Sequence, residues 1–313
     1  MEYLFLVAGL AMIIIGASML TDGSVALAER FKIPEFIVGL TIVAVGTSMP
    51  EFVVSFLSAL NGSGEMAIGN VIGSNIFNIF AVLGVCAIFA PVVFTRSNVR
   101  RDIPVCILAS MALLAVTAFN EDITRFEGAL LLVGYVVMIV LMIRSDRRTI
   151  ATAPAAEAAE NPAPKMAMWR IAVWIIAGLG GLIYGGNLCV DSATEIARQL
   201  GVSEATIAIT LVAGGTSLPE LASSLVSIFK GRASLALGNV LGSNIANILL
   251  ILGASSTITP LTMGNVRMFD IYVAVAGVVL LLLSAYVIGR DKITRFEGLL
   301  FLACYAAYLY VLL

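Results

Sequence analysis

The chain has 313 residues, of which 60% are apolar and 12% charged, with a net charge of −2 and a mean hydropathy of +1.04. Soluble domains carry about 25% charged residues, so this composition excludes a water-soluble protein and indicates an integral membrane protein. No basic cluster is interleaved with aromatic residues, which argues against nucleic-acid binding. Histidine is absent, which removes the commonest general base and transition-metal ligand.

Apolar segments long enough to span a membrane follow one another along the chain. A transmembrane helix needs about 20 mostly apolar residues, and this template predicts an all-α protein with ten spans. The predicted spans are 3–20, 36–60, 66–91, 103–119, 126–143, 169–190, 206–229, 234–256, 269–289 and 296–313.

A polar segment rich in proline and alanine, residues 144–168, separates the fifth span from the sixth. It contains little that can be buried, and we interpret it as a linker. The predicted domains are therefore a first half, 1–143, and a second half, 169–313, with five spans each.

The two halves repeat one another in sequence. Residues 46–51 read Gly-Thr-Ser-Met-Pro-Glu and residues 215–220 read Gly-Thr-Ser-Leu-Pro-Glu, an offset of 169 positions. Segments 69–76 and 238–245 keep this offset and differ at a single residue. Because each half has an odd number of spans, the second must enter the membrane in the opposite direction. The sequence therefore predicts two inverted-topology repeats, which are typical of secondary transporters.

The basic residues predict the orientation. With the N-terminus outside, fifteen of the 18 lysine and arginine residues fall on the cytoplasmic side, and only Arg125, Arg198 and Arg267 fall outside. Such a bias is typical of cytoplasmic loops. We expect a multi-pass protein of the plasma or inner membrane, with both termini outside and the linker in the cytoplasm.

The repeated motif places an acid inside an apolar span of each half. Glu51 and Glu220 are such residues, and an ionisable group at membrane depth usually marks a functional site. Thr47 and Ser48 precede Glu51 by about one helical turn, so we expect the three side chains to share one helical face. The acids Asp22, Glu29, Asp191 and Glu195 lie at span ends instead and are expected to be solvated.

Prolines interrupt the same spans. Pro50 and Pro219 have no N–H and crowd the carbonyl four residues earlier, so each helix is expected to open there. The carbonyls near Ala44 and Ala213 are then expected to lose their intrahelical partners and to line a cavity, where a cation would satisfy them.

The neighbouring spans contribute further polar residues and small ones. Ser74 and Asn78 lie four residues apart, and Ser243 and Asn247 repeat this spacing, so each pair shares a face. Glycine pairs at 69/73 and 238/242 are expected to let helices approach closely. Carboxylate, hydroxyl, amide and carbonyl oxygens together suit Ca²⁺ and Na⁺ better than Mg²⁺, zinc or copper.

At these residues the chain resembles the cation/Ca²⁺ antiporter superfamily, and specifically prokaryotic sodium/calcium exchangers. The two alpha repeats of that family look like residues 39–79 and 209–248 here, and the similarity covers essentially the whole chain. It implies that Glu51 and Glu220 are carboxylates shared by Ca²⁺ and Na⁺, and that Asn78 and Asn247 face the centre. The residues implied to complete the sodium sites are Thr47, Ser48, Thr216, Ser217, Ser74, Ser243 and the carbonyls of Ala44 and Ala213.

The resemblance implies Na⁺/Ca²⁺ antiport by alternating access, with the two ions as substrates and membrane lipid as the surroundings. It implies no cofactor, no catalytic residue and no obligatory protein partner. An archaeal exchanger and the potassium-dependent branch carry aspartate where this chain has Asn247, so we expect potassium independence. We also expect electrogenic exchange, because two carboxylates balance one Ca²⁺ whereas the oxygens of both repeats suffice for more than two Na⁺.

Three other functions stay open. In a Ca²⁺/H⁺ antiporter the same two glutamates would take protons in place of sodium. An intramembrane peptidase would want a histidine beside its carboxylate, and the chain has none. A channel would be expected to form its pore from a ring of subunits. Obligatory counter-transport in a flux measurement would exclude the channel, and ion flux without cleavage would exclude the peptidase.

Overall fold

The computed structural model describes residues 1–119, 122–149, 164–201, 213–288 and 291–312. These residues are almost entirely helical, which confirms the predicted all-α membrane fold. The helices, numbered along the chain, are α1 Glu2–Phe31, α2 Glu35–Thr47, α3 Met49–Leu60, α4 Gly64–Phe89, α5 Asn98–Ala118, α6 Arg125–Thr149, α7 Met168–Gln199, α8 Ala213–Gly215, α9 Leu218–Phe229, α10 Ala233–Ile258, α11 Met268–Tyr286 and α12 Arg295–Leu312.

Most predicted spans correspond to one of these helices. In the described part of the chain, eight helices are each long and apolar enough to cross a membrane, and the bent pair α2–α3 adds a ninth. The predicted span 206–229 is described only from Ala213 onward, and α9 within it has 12 residues. Helices α1 and α7 have 30 and 32 residues and continue well past their predicted ends, because their polar ends contain good helix formers such as alanine, glutamate and arginine.

The second and seventh predicted spans break at corresponding places. Helices α2 and α3 meet at an angle of 48°, and Ser48 between them leaves the helical conformation with φ −80° and ψ 9°. Pro50 is the second residue of α3, and Pro219 is the second residue of α9, where Ser217 has φ −91° and ψ 7°. The predicted opening at the prolines is therefore confirmed.

Helices α4 and α10 form the centre of the bundle. About 78% of the apolar stretch of α4 and 94% of that of α10 are buried, against 17–39% for the other six single spans. Both helices widen into a π-helical stretch next to the Gly-Ser-Asn motif, at Phe77–Val82 and Ala246–Leu252. Such stretches inside α-helices are frequent at functional sites.

The predicted close approach through glycine is confirmed in α10. A Cβ atom added to Gly238 or Gly242 would overlap the backbone of α2, at the carbonyl oxygens of Phe36 and Leu40. Around Gly69 and Gly73 in α4, nothing in the described ranges lies within 4 Å of an added Cβ atom. Glycine therefore permits the contact between α10 and α2.

Helices α1 and α7 also pack backbone against backbone. A Cβ atom added to Gly16 would lie 2.8 Å from the carbonyl oxygen of Gly178, and one added to Gly178 would lie 2.6 Å from the backbone nitrogen of Leu20. Two turns along, a Cβ on Gly185 would lie 2.9 Å from the carbonyl oxygen of Gly9. Their apolar side chains form a hydrophobic cluster separate from the main core around α4 and α10.

Four two-residue strands connect the halves at the ends of the bundle. They are β1 Val92–Val93, β2 Asp122–Ile123, β3 Leu261–Thr262 and β4 Lys292–Ile293. The antiparallel pairs are β1 with β4 and β2 with β3. Each pair therefore takes one strand from the first half and one from the second.

The four acids at span ends do not all behave as predicted. Glu29 and Asp191 are exposed, and Glu195 is half exposed. Asp22 differs, because its carboxylate lies 2.6 Å from the ammonium group of Lys230 and is partly buried by α9. The pairing depends on a tertiary contact that sequence position alone does not indicate.

Candidate cation site

Glu51 and Glu220 lie in the first turns of α3 and α9, directly after the two breaks. Both side chains are completely buried, with 0% of their surface exposed. The first turn of a helix favours negative charge because its N–H groups have no intrahelical partner. The broken helices therefore place two carboxylates in the protein interior at positions where the backbone stabilises them.

Each carboxylate accepts a hydrogen bond from a serine of the other half. The hydroxyl of Ser48 donates to Oε1 of Glu220 at 2.8 Å, and that of Ser217 donates to Oε1 of Glu51 at 2.9 Å. Ser74 on α4 adds a longer bond to Oε1 of Glu51, at 3.5 Å. Ser48 thus pairs with Glu220 and not with Glu51, contrary to the shared helical face that we expected, because the break at Ser48 interrupts the regular helical spacing.

Several polar atoms of the two glutamates and of the other predicted ligands are buried and form no hydrogen bond with a described residue. They are Oε2 of Glu51 and of Glu220, the hydroxyl of Thr216, both amide atoms of Asn78, and Oδ1 of Asn247. Buried polar atoms normally have partners, and an unpaired buried carboxylate is strongly unfavourable. Oxygens of this kind, next to two acids, are suited to bind a cation.

The carbonyl of Ala44 differs from the prediction. It keeps an intrahelical partner, because the backbone N–H of Ser48 donates to it at 3.0 Å. Pro50 removes only the donor that would bond to Gly46, so the break leaves the Ala44 carbonyl in its helix. A carbonyl oxygen has a second lone pair, which is still available to another ligand.

Two predicted hydroxyls meet at this carbonyl. Thr47 Oγ1 lies 3.3 Å and Ser243 Oγ 3.4 Å from the oxygen of Ala44. Thr47 also contacts the amide oxygen of Asn239 at 3.2 Å. Ala213 is the first residue of α8, and only its backbone is described.

Two asparagines that the sequence analysis did not single out hold the glutamate helices in place. Asn70 donates to the backbone carbonyl of Glu51 at 3.2 Å and to the hydroxyl of Ser55 at 2.9 Å. Asn239 repeats this arrangement in the second half, with 3.4 Å to the carbonyl of Glu220 and 2.9 Å to the serine four residues after it. Both asparagines lie in the repeated segments, so the internal repeat was a signal that pointed to them.

A third repeated asparagine pair lies where α4 crosses α10. Asn75 and Asn244 each donate to the backbone carbonyl of the other, and Asn247 donates to the side chain of Asn75. These bonds join the two halves directly beside the predicted ligands of the π-helical stretches.

The site contains few formal charges for a metal centre. Within the described ranges, no three His, Cys, Asp or Glu side chains are close enough to hold one ion together. Two carboxylates surrounded by neutral oxygens are a hard-oxygen set, which suits Ca²⁺ or Na⁺. Ligand charge and site rigidity tune affinity for such ions, so a small charge fits an ion that must also leave.

Comparisons with known proteins agree with this chemistry. The model of a family described as "Sodium/calcium exchanger protein" matches residues 1–144 and 170–313. CaxA of Alkalimonas amylolytica, which is named as an antiporter, is 38% identical, over 99% of this chain and 98% of its own. Sodium/calcium exchanger MaX1 of Methanosarcina acetivorans is 28% identical, over 99% of this chain and 98% of its own.

A solved structure extends the similarity to three dimensions. The sodium-calcium exchanger NCX_Mj, in a structure soaked with zero Na⁺ and Ca²⁺, superposes with a TM-score of 0.84 at 31% sequence identity. The superposition covers 100% of this chain and 99% of that one.

Proposed function

The chain belongs to the sodium/calcium exchanger family, and we propose that it exchanges Na⁺ for Ca²⁺ across the cell membrane by alternating access. The site binds either several Na⁺ or one Ca²⁺, and the loaded protein then exposes it on the opposite side. Transport of both ions through one shared site couples the gradient of one ion to the movement of the other.

The single observation that carries this proposal is that each half donates a serine hydroxyl to the glutamate of the other half. Ser48 bonds Glu220 and Ser217 bonds Glu51, so neither half holds a complete site. The two carboxylates balance the charge of one Ca²⁺, and the neighbouring hydroxyl and carbonyl oxygens are ligands that Ca²⁺ accepts. A site built equally from two oppositely oriented halves suits a transporter that opens to either side.

The proposed ligands are the residues expected from the sequence. Glu51 and Glu220 bind either ion, and the neutral oxygens complete the coordination of sodium. These neutral groups are the side chains of Thr47, Ser48, Thr216, Ser217, Ser74, Ser243, Asn78 and Asn247 and the backbone carbonyls of Ala44 and Ala213.

The burial of the two acids explains why exchange is obligatory. Without a cation, two ionised carboxylates would remain in a region of low dielectric, which costs several kcal/mol for each unpaired charge, on the order of 3–5 kcal/mol. The empty protein therefore crosses between its two states rarely, and the loaded one crosses readily.

The proposed exchange is electrogenic and independent of potassium. Asn78 and Asn247 are neutral, so they add no carboxylate to hold a co-transported K⁺. The oxygens of both halves are enough for more than two Na⁺ per Ca²⁺, and net charge then moves in each cycle.

The strand pairs support the ten-span arrangement of two inverted halves, 1–143 and 169–313, around the linker 144–168. Strands β2 and β3 can pair only on the same side of the membrane, so an even number of crossings must separate them. Helices α6, α7 and α10 supply three, and the segment that ends in α9 supplies the fourth. Together with the charge bias, this pairing supports a cytoplasmic linker and termini outside.

The test is uptake of ⁴⁵Ca²⁺ into proteoliposomes loaded with Na⁺. We expect uptake that requires the outward Na⁺ gradient, proceeds without K⁺ and changes with an imposed membrane potential. Potentials are clamped with valinomycin when K⁺ is present and with a protonophore otherwise. Uptake driven by a pH gradient but not by Na⁺ would establish the Ca²⁺/H⁺ alternative, and uptake without any counter-ion would indicate a channel.

A further inference from the structure

Three buried asparagines form a directional hydrogen-bond chain at the centre of the bundle. The Nδ2 atom of Asn75 donates to the backbone carbonyl of Asn244 at 3.3 Å, and the Nδ2 atom of Asn247 donates to Oδ1 of Asn75 at 3.0 Å. The side chains are 3%, 1% and 0% exposed for Asn75, Asn244 and Asn247, so bulk water does not compete for these bonds.

These hydrogen bonds can run in only one direction. A backbone carbonyl can only accept, so Asn75 must turn its NH₂ group toward Asn244 and its oxygen the other way. That oxygen can only accept as well, so Asn247 must present its own NH₂ group to Asn75. The backbone of Asn244 thus determines, through Asn75, which end of the Asn247 amide is occupied.

The free end of Asn247 is therefore its oxygen. Oδ1 of Asn247 is buried and has no hydrogen-bond partner among the described residues. An amide oxygen is a ligand for Ca²⁺ or Na⁺, whereas the NH₂ group in the same place would repel a cation. Since asparagine has two chemically different ends, its orientation decides whether it helps or hinders binding.

We propose that Asn75 is a positioning residue, which orients the amide of Asn247 so that its oxygen faces the transported cation. This inference rests on the proposed exchange function and adds to it a residue that touches no ion. Asn75 acts through Asn247 alone.

The two halves differ in this respect. By the repeat, Asn78 corresponds to Asn247 and Asn244 to Asn75, but Asn78 makes no hydrogen bond with either amide atom to any described residue. Oδ1 of Asn244 likewise has no partner there. Only the second half therefore holds its central amide in one orientation, and the site has one oriented and one unrestrained amide.

Asn244 provides a matched control. Asn244→Ala removes a bond to the backbone carbonyl of Asn75, at 3.2 Å, that is equivalent to the bond lost in Asn75→Ala. Asn75→Ala also removes the bond from Asn247, so it costs two connections between α4 and α10 and frees the Asn247 amide, whereas Asn244→Ala costs one connection and leaves that amide held. A purely structural role would leave Asn75→Ala with an effect of its own when Asn247 is also replaced, because the bond to the Asn244 carbonyl is still lost.

The experiment measures equilibrium binding of ⁴⁵Ca²⁺ to the purified full-length protein in detergent. We expect Asn75→Ala to raise the Kd for Ca²⁺ about tenfold, because the loss of one polar contact to a charged group has an effect of this size. Asn244→Ala is expected to change the Kd less than about twofold. In an Asn247→Ala background, Asn75→Ala is expected to have no further effect, since a double-mutant cycle isolates what one residue does through another.

Equal effects of the two single variants, or an undiminished effect of Asn75→Ala in the Asn247→Ala background, would overturn the inference. If the wild type binds Ca²⁺ and Asn75→Ala binds it with the same Kd, the role of Asn75 is overturned and the proposed function stands. If the wild type binds no Ca²⁺, the proposed function is refuted as well. If Asn75→Ala does not elute as a folded protein, Asn75→Ser replaces it, because a serine hydroxyl can bond back to its own helix yet is too short for Asn247.

Discussion

Lys230 Nζ lies 2.6 Å from Oδ1 of Asp22 and 2.7 Å from the hydroxyl of Ser18, so the residue that follows α9 is bonded to the side of α1. About one turn away, the hydroxyls of Thr21 and Ser227 lie 3.1 Å apart across the same two helices. Helices α1 and α9 are therefore joined by polar contacts as well as by apolar packing.

The corresponding place in the repeat lacks this connection. Asn61 occupies the position equivalent to Lys230, and Asp191 the position equivalent to Asp22, where it is exposed. Because asparagine carries no charge, the two residues cannot form an ion pair. This ion pair between the first and second halves therefore has no counterpart at Asn61 and Asp191, two residues that the structure describes.

We expect Asp22→Asn to loosen the contact between α1 and α9. The reporter is the rate at which a thiol reagent labels Ser227→Cys, in a background in which Cys86, Cys106, Cys189 and Cys304 are replaced by alanine. A partly exposed ion pair contributes about 0.3–1 kcal/mol, which corresponds to labelling roughly two- to fivefold faster. Glu29→Gln, an exposed acid on the same helix, is the control, and a rate unchanged from that control would contradict the assignment.

Removing the charge of either buried glutamate is expected to stop calcium transport. Glu51→Gln and Glu220→Gln keep the shape of the side chain, but each leaves the divalent ion with one carboxylate in a buried site. Loss of one partner from a buried charge pair costs about 3–5 kcal/mol, so sodium-driven uptake falls by about 100-fold or more. Glu65→Gln, at an exposed site, is expected to transport normally, and half of wild-type uptake in either test variant would remove that residue from the site.

The reciprocal serine–glutamate bonds predict that two serines far apart in the sequence behave alike. Ser48→Ala and Ser217→Ala each remove one hydrogen bond to a carboxylate of the other half, and such a bond contributes about 1.5–3 kcal/mol. We expect the apparent KM for Ca²⁺ to rise by about tenfold or more in both, while Ser110→Ala, whose hydroxyl bonds back to Cys106 in its own helix, leaves it unchanged. A strong effect of one serine and none of the other would show that the two halves do not share the ion equally.

Close packing of α1 on α7 predicts a difference between two neighbouring glycines. Gly178→Ala places a methyl group against the backbone of α1, and overpacking of this kind costs about 1–3 kcal/mol. Gly180→Ala, where no described atom lies within 4 Å of the added Cβ, gains up to about 1 kcal/mol of helix propensity instead. Thermal unfolding of the purified protein in detergent is expected to shift down for the first and not for the second, and equal shifts would contradict the close contact.

The strand pairs and the charge bias together predict sidedness. Val93 and Thr262 are exposed residues of β1 and β3, one from each strand pair. In the cysteine-free background, an impermeant thiol reagent is expected to label Val93→Cys from the cytoplasm and Thr262→Cys from outside. Labelling of both from the same side would contradict the span count, and labelling with the sides exchanged would reverse the orientation.

The features that could be predicted from the sequence are those with a local cause. Pro50 removes a backbone donor, so the break before Glu51 follows from one residue, and apolar length alone predicts the helices. The extension of α1 to Phe31 was missed because the polar residues after Leu20 end the apolar run while alanines continue the helix. The persistence of the Ala44 bond was missed because the proline affects only the residue four positions before it.

The features that could not be predicted from the sequence depend on tertiary contacts, several of them between the halves. The bond from Ser48 to Glu220 spans 172 positions, and no helical spacing relates the two residues. The roles of Asn70 and Asn75 could not be predicted because a neutral amide can donate to many carbonyls, and only the packing decides that these two meet Glu51 and Asn244. Their repetition at Asn239 and Asn244 was visible, but it does not reveal which carbonyl each one meets.

The way in which the strands pair has a consequence for how the protein is assembled in the cell. Strands β1 and β2 pair with β4 and β3 of the second half, just as Glu51 accepts its shorter hydroxyl bond from Ser217 of that half. We therefore expect two fragments severed between Ile143 and Lys165 to stay joined by both strand pairs and by these hydrogen bonds. Either fragment synthesised alone would lack these partners, and we expect it to accumulate poorly. Two fragments produced together are expected to assemble into a folded protein. In folding, the two halves would then behave like the subunits of a heterodimer.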